Sequence, residues 1–186
     1  MSVPIHAARR LFLRRSAQLA VAAAGGLVSA RGALAGDGEV RGLSLEHTHT
    51  GERLSLVYAV RDQYVSSALT TLNRFLRDHY SGAVGMIDPQ LFDLLHRVRA
   101  ALGARESFHV ISGYRSPATN QALRTTRGGG VAKHSLHMDG KAIDIRLPGV
   151  PLGELRDAAL SLRAGGVGFY PRGQFVHVDT GRVRRW

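Results

Sequence analysis

The sequence predicts an α+β domain, a small mixed or antiparallel sheet with helices packed on it. Three observations carry that expectation. Leu43-Ser-Leu-Glu-His47-Thr-His49 and Leu54-Ser-Leu-Val-Tyr58 alternate with the period of a half-buried strand. Apolar residues recur at helical spacing in the windows 64–79, 89–102 and 152–163. Short apolar runs near 108–111, 142–147, 166–170 and 174–179 read as strands, which with those helices complete an α+β pattern.

The elements follow in order. Thr50-Gly51 is a turn signal between the two alternating runs, so they form a hairpin. Val65, Leu69, Leu72, Phe75 and Leu76 then share one helical face. Asp88-Pro89 supplies an N-cap and a first-turn proline for a second helix carrying Leu91, Leu94, Leu95, Val98 and Leu102, with Gly103 as its stop. Phe108-His-Val-Ile111 reads as a strand running into the loop Ser112-Gly-Tyr-Arg-Ser-Pro-Ala-Thr-Asn120 and a brief helix through Leu123. The triple glycine 128–130 predicts a flexible rim. Ala142 to Leu147 is a strand stopped by Pro148-Gly149, and a helix over 152–163 precedes the last two strands.

At 186 residues the chain holds one domain with a real hydrophobic core. It has no cysteine, which excludes thiolate zinc fingers and thiol nucleophiles and leaves histidine and carboxylates as metal ligands. The formal charge of +11 suggests a nucleic-acid binder until it is divided along the chain. Residues 1–35 carry Arg9, Arg10, Arg14, Arg15 and Arg31 without one acidic residue, and removing those charges leaves +6 for residues 36–186. Part of that remainder is the terminal run Arg182, Arg184 and Arg185. No helix-turn-helix or aromatic-basic sheet is present, so no nucleic-acid partner is expected.

The leading residues read as an address. Arg9-Arg-Leu-Phe-Leu-Arg-Arg15 is a basic segment, Ala17 to Val28 an apolar one, and Ala33-Leu-Ala35 a cleavage signal. The apolar run is too short and alanine-rich for a membrane span, so none remains after cleavage. The arginine pair resembles a twin-arginine signal, although alanine precedes it. The expected organisation is a cleaved export signal at 1–35, handled by the twin-arginine machinery, and a single periplasmic domain at 36–186.

The chemistry concentrates in Ser135-Leu-His137-Met-Asp-Gly-Lys-Ala-Ile-Asp144 and Phe175-Val-His177-Val-Asp179. Two imidazoles and a carboxylate suit one Zn²⁺ with an open position, the pattern of a catalytic rather than structural site. Gly140-Lys141 is a turn that lets His137 and Asp144 converge, and Asp144 stands in a strand too apolar for an unpaired carboxylate. His177 and Asp179, two apart on a strand, share a face.

Ser-x-His-x-x-Gly-x-Ala-x-Asp with a later His-Val-Asp resembles the zinc peptidases typified by D-Ala-D-Ala carboxypeptidases and related to the hedgehog fold. Within them it is most similar to the murein endopeptidase K-like family. The resemblance runs from Thr48-His-Thr-Gly-Glu52 through Ser112-Gly-Tyr-Arg-Ser-Pro117 to Phe175-Val-His-Val-Asp-Thr-Gly181. It implies a zinc-dependent hydrolase of peptidoglycan cross-links, either D-Ala–diaminopimelate or diaminopimelate–diaminopimelate. It makes His137, Asp144 and His177 the ligands of one Zn²⁺ per chain. Arg115 becomes the group that stabilises the oxyanion or a substrate carboxylate, with Tyr114 and Ser116 as further substrate-binding candidates in the same loop.

The general base departs from better-known relatives. Many carry a histidine two residues before the last ligand, where this chain has Phe175, and others a carboxylate three before, where it has Gln174. Asp179 is the candidate base, with a role in orienting a ligand histidine as its alternative and His134 as a third option. His47 and His49 are explained by exposure and cross-strand packing beside the hairpin turn, and His79 and His96 by helical positions. Two other activities stay open: a carboxypeptidase trimming stem peptides, and a zinc-containing peptidoglycan-binding module without turnover.

Overall fold

The computed structural model describes residues 39–126 and 131–186. The expected leader at 1–35 and the glycines 128–130 lie outside the described residues. The described chain opens with the expected hairpin, β1 (Val40–His47) and β2 (Arg53–Val60), paired antiparallel. A two-residue strand, β3 (Gln63–Tyr64), precedes helix α1 (Ser66–Phe75) and helix α2 (Pro89–Ala101). Strand β4 (Phe108–Ser112), helix α3 (Pro117–Thr126), strand β5 (Ala142–Arg146) and helix α4 (Leu152–Ser161) follow. Strands β6 (Gly166–Tyr170), β7 (Phe175–Asp179) and β8 (Arg184–Arg185) complete it.

All eight strands form one mixed sheet in the order β3-β2-β1-β4-β5-β7-β6-β8. The β1–β4 and β6–β8 pairs are parallel and the others antiparallel. The sheet is larger than expected because β3 and β8, at its two edges, are too short to leave a periodic signal.

Local chemistry explains the helix boundaries. The Asp88 side chain accepts the Gln90 amide and Pro89 sits at the first turn, so α2 starts where the sequence predicted. Helix α1 stops before its expected end, since Asp78 turns the chain back by accepting the Tyr80 and Ser81 amides. His79 therefore lies in a turn and not on a helix.

Side-chain alternation gives the central strands two unlike faces. One face presents Val110, Ile143, Ile145, Val176 and Val178 to a core shared with Leu91, Leu95 and Val98 of α2 and Leu155 and Ala159 of α4. Each of the valine, leucine and isoleucine side chains contributes about 1.5–3 kcal/mol by leaving water. The opposite face carries Asp144, His177 and Asp179. Asp144 and His177 are cross-strand partners in the β5–β7 register, flanked by the pairs Ile143–Val178 and Ile145–Val176. The apolar residues thus hold the polar ones in register.

Two close approaches complete this scaffold. Gly140 has φ of 64°, and a Cβ there would meet the Met86 carbonyl oxygen, so the turn into β5 admits only glycine. The turn is tied down by Asp88 N donating to Gly140 O at 2.9 Å and Thr180 Oγ1 donating to Asp88 Oδ2 at 2.8 Å. Gly168, opposite His177 on β6, leaves space that the Trp186 indole fills.

Candidate metal centre

His137, Asp144 and His177 come together as expected, all three buried. Their facing atoms form a small triangle. His137 Nε2 lies 3.2 Å from His177 Nδ1 and 3.3 Å from Asp144 Oδ1, and His177 Nδ1 lies 2.9 Å from Asp144 Oδ1. In a tetrahedral site with bonds of about 2.0–2.1 Å, ligand atoms stand roughly 3.3 Å apart. The triangle has the dimensions of one face of such a site.

The outer partners set the tautomers. His137 Nδ1 lies 2.7 Å from Gly113 O, which can only accept, so that nitrogen carries the proton. His177 Nε2 faces Asp179 Oδ2 at 3.2 Å. Burial opposes the charge on Asp179, but His177, Arg184 and the amides of Gly166 and Gly181 outweigh it and hold the carboxyl well below the usual carboxylate range. An ionised Asp179 only accepts, so Nε2 is the donor. Both neutral imidazoles then turn a lone pair inward, toward a carboxylate oxygen. Three acceptors facing one point require a cation among them, a metal ion or a proton. For the proton, burial disfavours charge on His177, yet Asp144 and Asp179 outweigh it and raise its proton affinity. Burial likewise opposes ionisation of Asp144, and His137 and His177 reverse that effect and lower its pKa.

The centre opens on a cavity of about 810 Å³. Arg115, His134, Tyr170, Arg172, Phe175 and Trp186 are among its lining residues. Arg115 lies at the cavity wall, its amide donating to His137 O at 3.1 Å and its Nη1 to Asn120 Oδ1 at 3.4 Å. Tyr114 lines a smaller recess beside the same cleft and packs against Gly85.

Three residues sit differently from their expected places. Asp179 is fully buried, does not line the cavity, and already accepts from His177, Arg184 and two backbone amides. These contacts direct the carboxylate toward His177 and away from the cavity. Ser116 is also buried and faces away from the cleft. Its amide donates to Asp78 Oδ2 at 2.9 Å and its hydroxyl pairs with Thr119, contacts that shape the loop. His47 is fully buried, not exposed, with its ring edge-on to Phe75 and His79.

Sequence reasoning missed Arg184 and Trp186. Arg184 read as part of a solvated basic run, yet its two terminal nitrogens reach Asp179 at 2.8 and 3.0 Å. Trp186 lies over His177 with ring centroids 5.2 Å apart, and its Nε1 donates to the Tyr170 hydroxyl at 2.7 Å. A lone tryptophan beside two arginines was the available signal, but only the β6–β8 pairing brings it to the centre.

With this geometry in place, the comparisons with known proteins are direct. The family model described as peptidoglycan L,D-endopeptidase MepK matches residues 36–186. The chain belongs to this M15 peptidase family. It is 47% identical to the peptidoglycan L,D-endopeptidase MepK of Escherichia coli K12 over 144 residues, 77% of this chain and 79% of that protein. The Shigella flexneri protein of the same name gives the same figures. The probable peptidoglycan L,D-endopeptidase MepK of Haemophilus influenzae is 44% identical over 145 residues, 77% of each chain. Family membership agrees with the α+β architecture, a mixed sheet bearing four helices among the described residues.

Proposed function

We propose that this protein is a zinc-dependent endopeptidase that hydrolyses peptide cross-links in peptidoglycan. The observation that carries the metal is the convergence of His137 Nε2, His177 Nδ1 and Asp144 Oδ1 with both imidazole protons directed outward. Two nitrogens and one oxygen, with a cavity on the fourth side, suit Zn²⁺ with an exchangeable water. Family membership supports the peptidase activity and the wall substrate. An L,D bond joins the carbonyl of an L centre to the amine of a D centre. That stereochemistry favours the diaminopimelate–diaminopimelate cross-link over D-Ala–diaminopimelate.

When bound, the metal would polarise the scissile carbonyl and bring a coordinated water's pKa toward neutrality. The chain's own groups supply the rest. Gly113 O and Asp179 hold the two imidazoles from outside, which would keep their inner lone pairs aimed at a bound ion. Arg115 at the cavity wall would stabilise the oxyanion with a guanidinium that stays charged at any working pH. Among the described lining residues outside the ligand set, His134 is the imidazole able to take a proton from the attacking water. Water adds to the carbonyl carbon, the C–N bond breaks, and the released amine takes up the proton.

The same reading places the protein outside the cytoplasm, where its substrate is. Residues 1–35 would be the cleaved twin-arginine signal and 36–186 the mature enzyme. No helix of the described residues is long and apolar enough to cross a membrane.

The test is incubation of the purified zinc-loaded protein with isolated cross-linked dimers and with monomeric stem peptides. Dimers should fall to monomers, and a chelator should stop the reaction until zinc is restored. Trimming of monomers with cross-links intact would replace this reading with a carboxypeptidase, and binding without shortening would replace it with a non-catalytic module.

A further inference from the structure

One wall of the cavity is the β6–β7 hairpin, and its tip carries Arg172. Of the arginines lining the cavity, Arg184 is committed to Asp179, and Arg115 is tied to Asn120. Arg172 makes no hydrogen bond or ion pair with any described residue. Among the described residues lining the cavity, the one carboxylate is Asp144, already part of the candidate metal centre.

The tip that holds Arg172 is braced. Gln174 adopts φ of 53°, and both its amide and its side chain donate to Pro171 O, closing the turn around Arg172. Tyr170 and Phe175 stack beneath the turn with centroids 4.6 Å apart and planes 16° from parallel. Trp186 then holds the Tyr170 hydroxyl. A charged fork therefore stands above a wall of three aromatic rings. That combination suits an aliphatic chain ending in a carboxylate, and carboxylates favour the planar guanidinium through paired hydrogen bonds.

We propose that Arg172 is a specificity residue that pairs with a free carboxylate of diaminopimelate, while Tyr170, Phe175 and Trp186 carry that residue's methylene chain. The inference rests on the proposed wall-peptidase function and adds the feature of the substrate that is read. A substrate whose diaminopimelate carboxyls are amidated keeps its shape and scissile bond but loses the partner of Arg172.

The experiment compares the zinc-loaded wild type, Arg172→Gln and Arg172→Lys on cross-linked dimers with free and with amidated diaminopimelate carboxyls. A charge-assisted pair predicts that the wild type prefers the free acid by about 10- to 100-fold in kcat/KM, mostly through KM. Arg172→Gln should handle both substrates at the lower value, and Arg172→Lys should recover part of the preference. Zinc content and Tm serve as controls, since the residue is an exposed turn position. A variant that keeps the full wild-type preference, or a wild type with none, overturns the role of Arg172. A wild type inactive on both dimers overturns the wall-peptidase reading instead.

Discussion

The protein holds two clusters of histidines, and they have opposite electrostatics. His137 and His177 meet edge-on with centroids 5.0 Å apart, in contact with Asp144 and backed by Asp179. His47, His49 and His79 also gather, with His49 and His79 stacked at 4.2 Å and His47 edge-on to both. In the first cluster carboxylates raise the proton affinity of His177 despite burial. In the second, burial and then the neighbouring imidazoles push His47 down to about 4. Its Nδ1 accepts the His49 amide at 3.2 Å, and its buried Nε2 has no hydrogen-bond partner among the described residues. The two clusters differ in the carboxylate at the focus of the first, which makes the lone pairs' common point favourable for positive charge.

The sharpest way to break this contrast is to remove the focus. His137→Ala or Asp144→Ala should abolish both metal content and dimer cleavage, measured by elemental analysis and product chromatography. Retention of zinc by either variant would return the first cluster to the status of the second.

Asp179→Asn should have the next largest effect. A partner that orients a ligand imidazole is worth about 10- to 100-fold in metal affinity or activity. Excess zinc should then restore much of the turnover, whereas loss of a general base leaves a fully loaded but slow enzyme. A zinc-titration series on the variant separates the two roles.

The second cluster should reveal itself through stability and not activity. His47 has its folded pKa below the ordinary 6.5, so its unfolded form binds more protons as pH falls through that range. Stability should drop as pH is lowered from 6.5 to 4, by up to about 3 kcal/mol from this residue. His47→Asn should flatten that part of the pH–stability curve in urea unfolding. A curve of unchanged slope would assign the pH dependence to another group. The smallest effect belongs to His49→Ala, an exposed position whose change should stay within about 0.5 kcal/mol with zinc content unaltered.

What could be read from the chain follows the range of the interactions. The hairpin, the cap at Asp88 and the turn at Gly140 are local, and each was legible because a few adjacent residues determine it. His137, Asp144 and His177 were legible because an acidic residue in an apolar strand needs a partner, and two histidine-bearing motifs offered one. The surroundings of Asp179 were not, since they depend on Arg184 arriving through β8 and on the Gly166 amide across the β6–β7 ladder. Ser116 shared a motif with Arg115, but Asp78, from another part of the chain, decides that one side chain turns inward. The burial of His47 follows from Phe75 and His79 packing over it, which hairpin periodicity does not encode.

The cross-strand pairing of Asp144 with His177 also bears on how the sheet is assembled. A slip of one residue between β5 and β7 would turn Val176 and Val178 toward the cleft and carry His177 and Asp179 into the apolar core. Such a sheet has no place for the ion. A metal held by the native pairing favours that state alone, by an amount that grows with free metal concentration. The ion would then act as a proofreader of strand alignment before it takes part in any reaction.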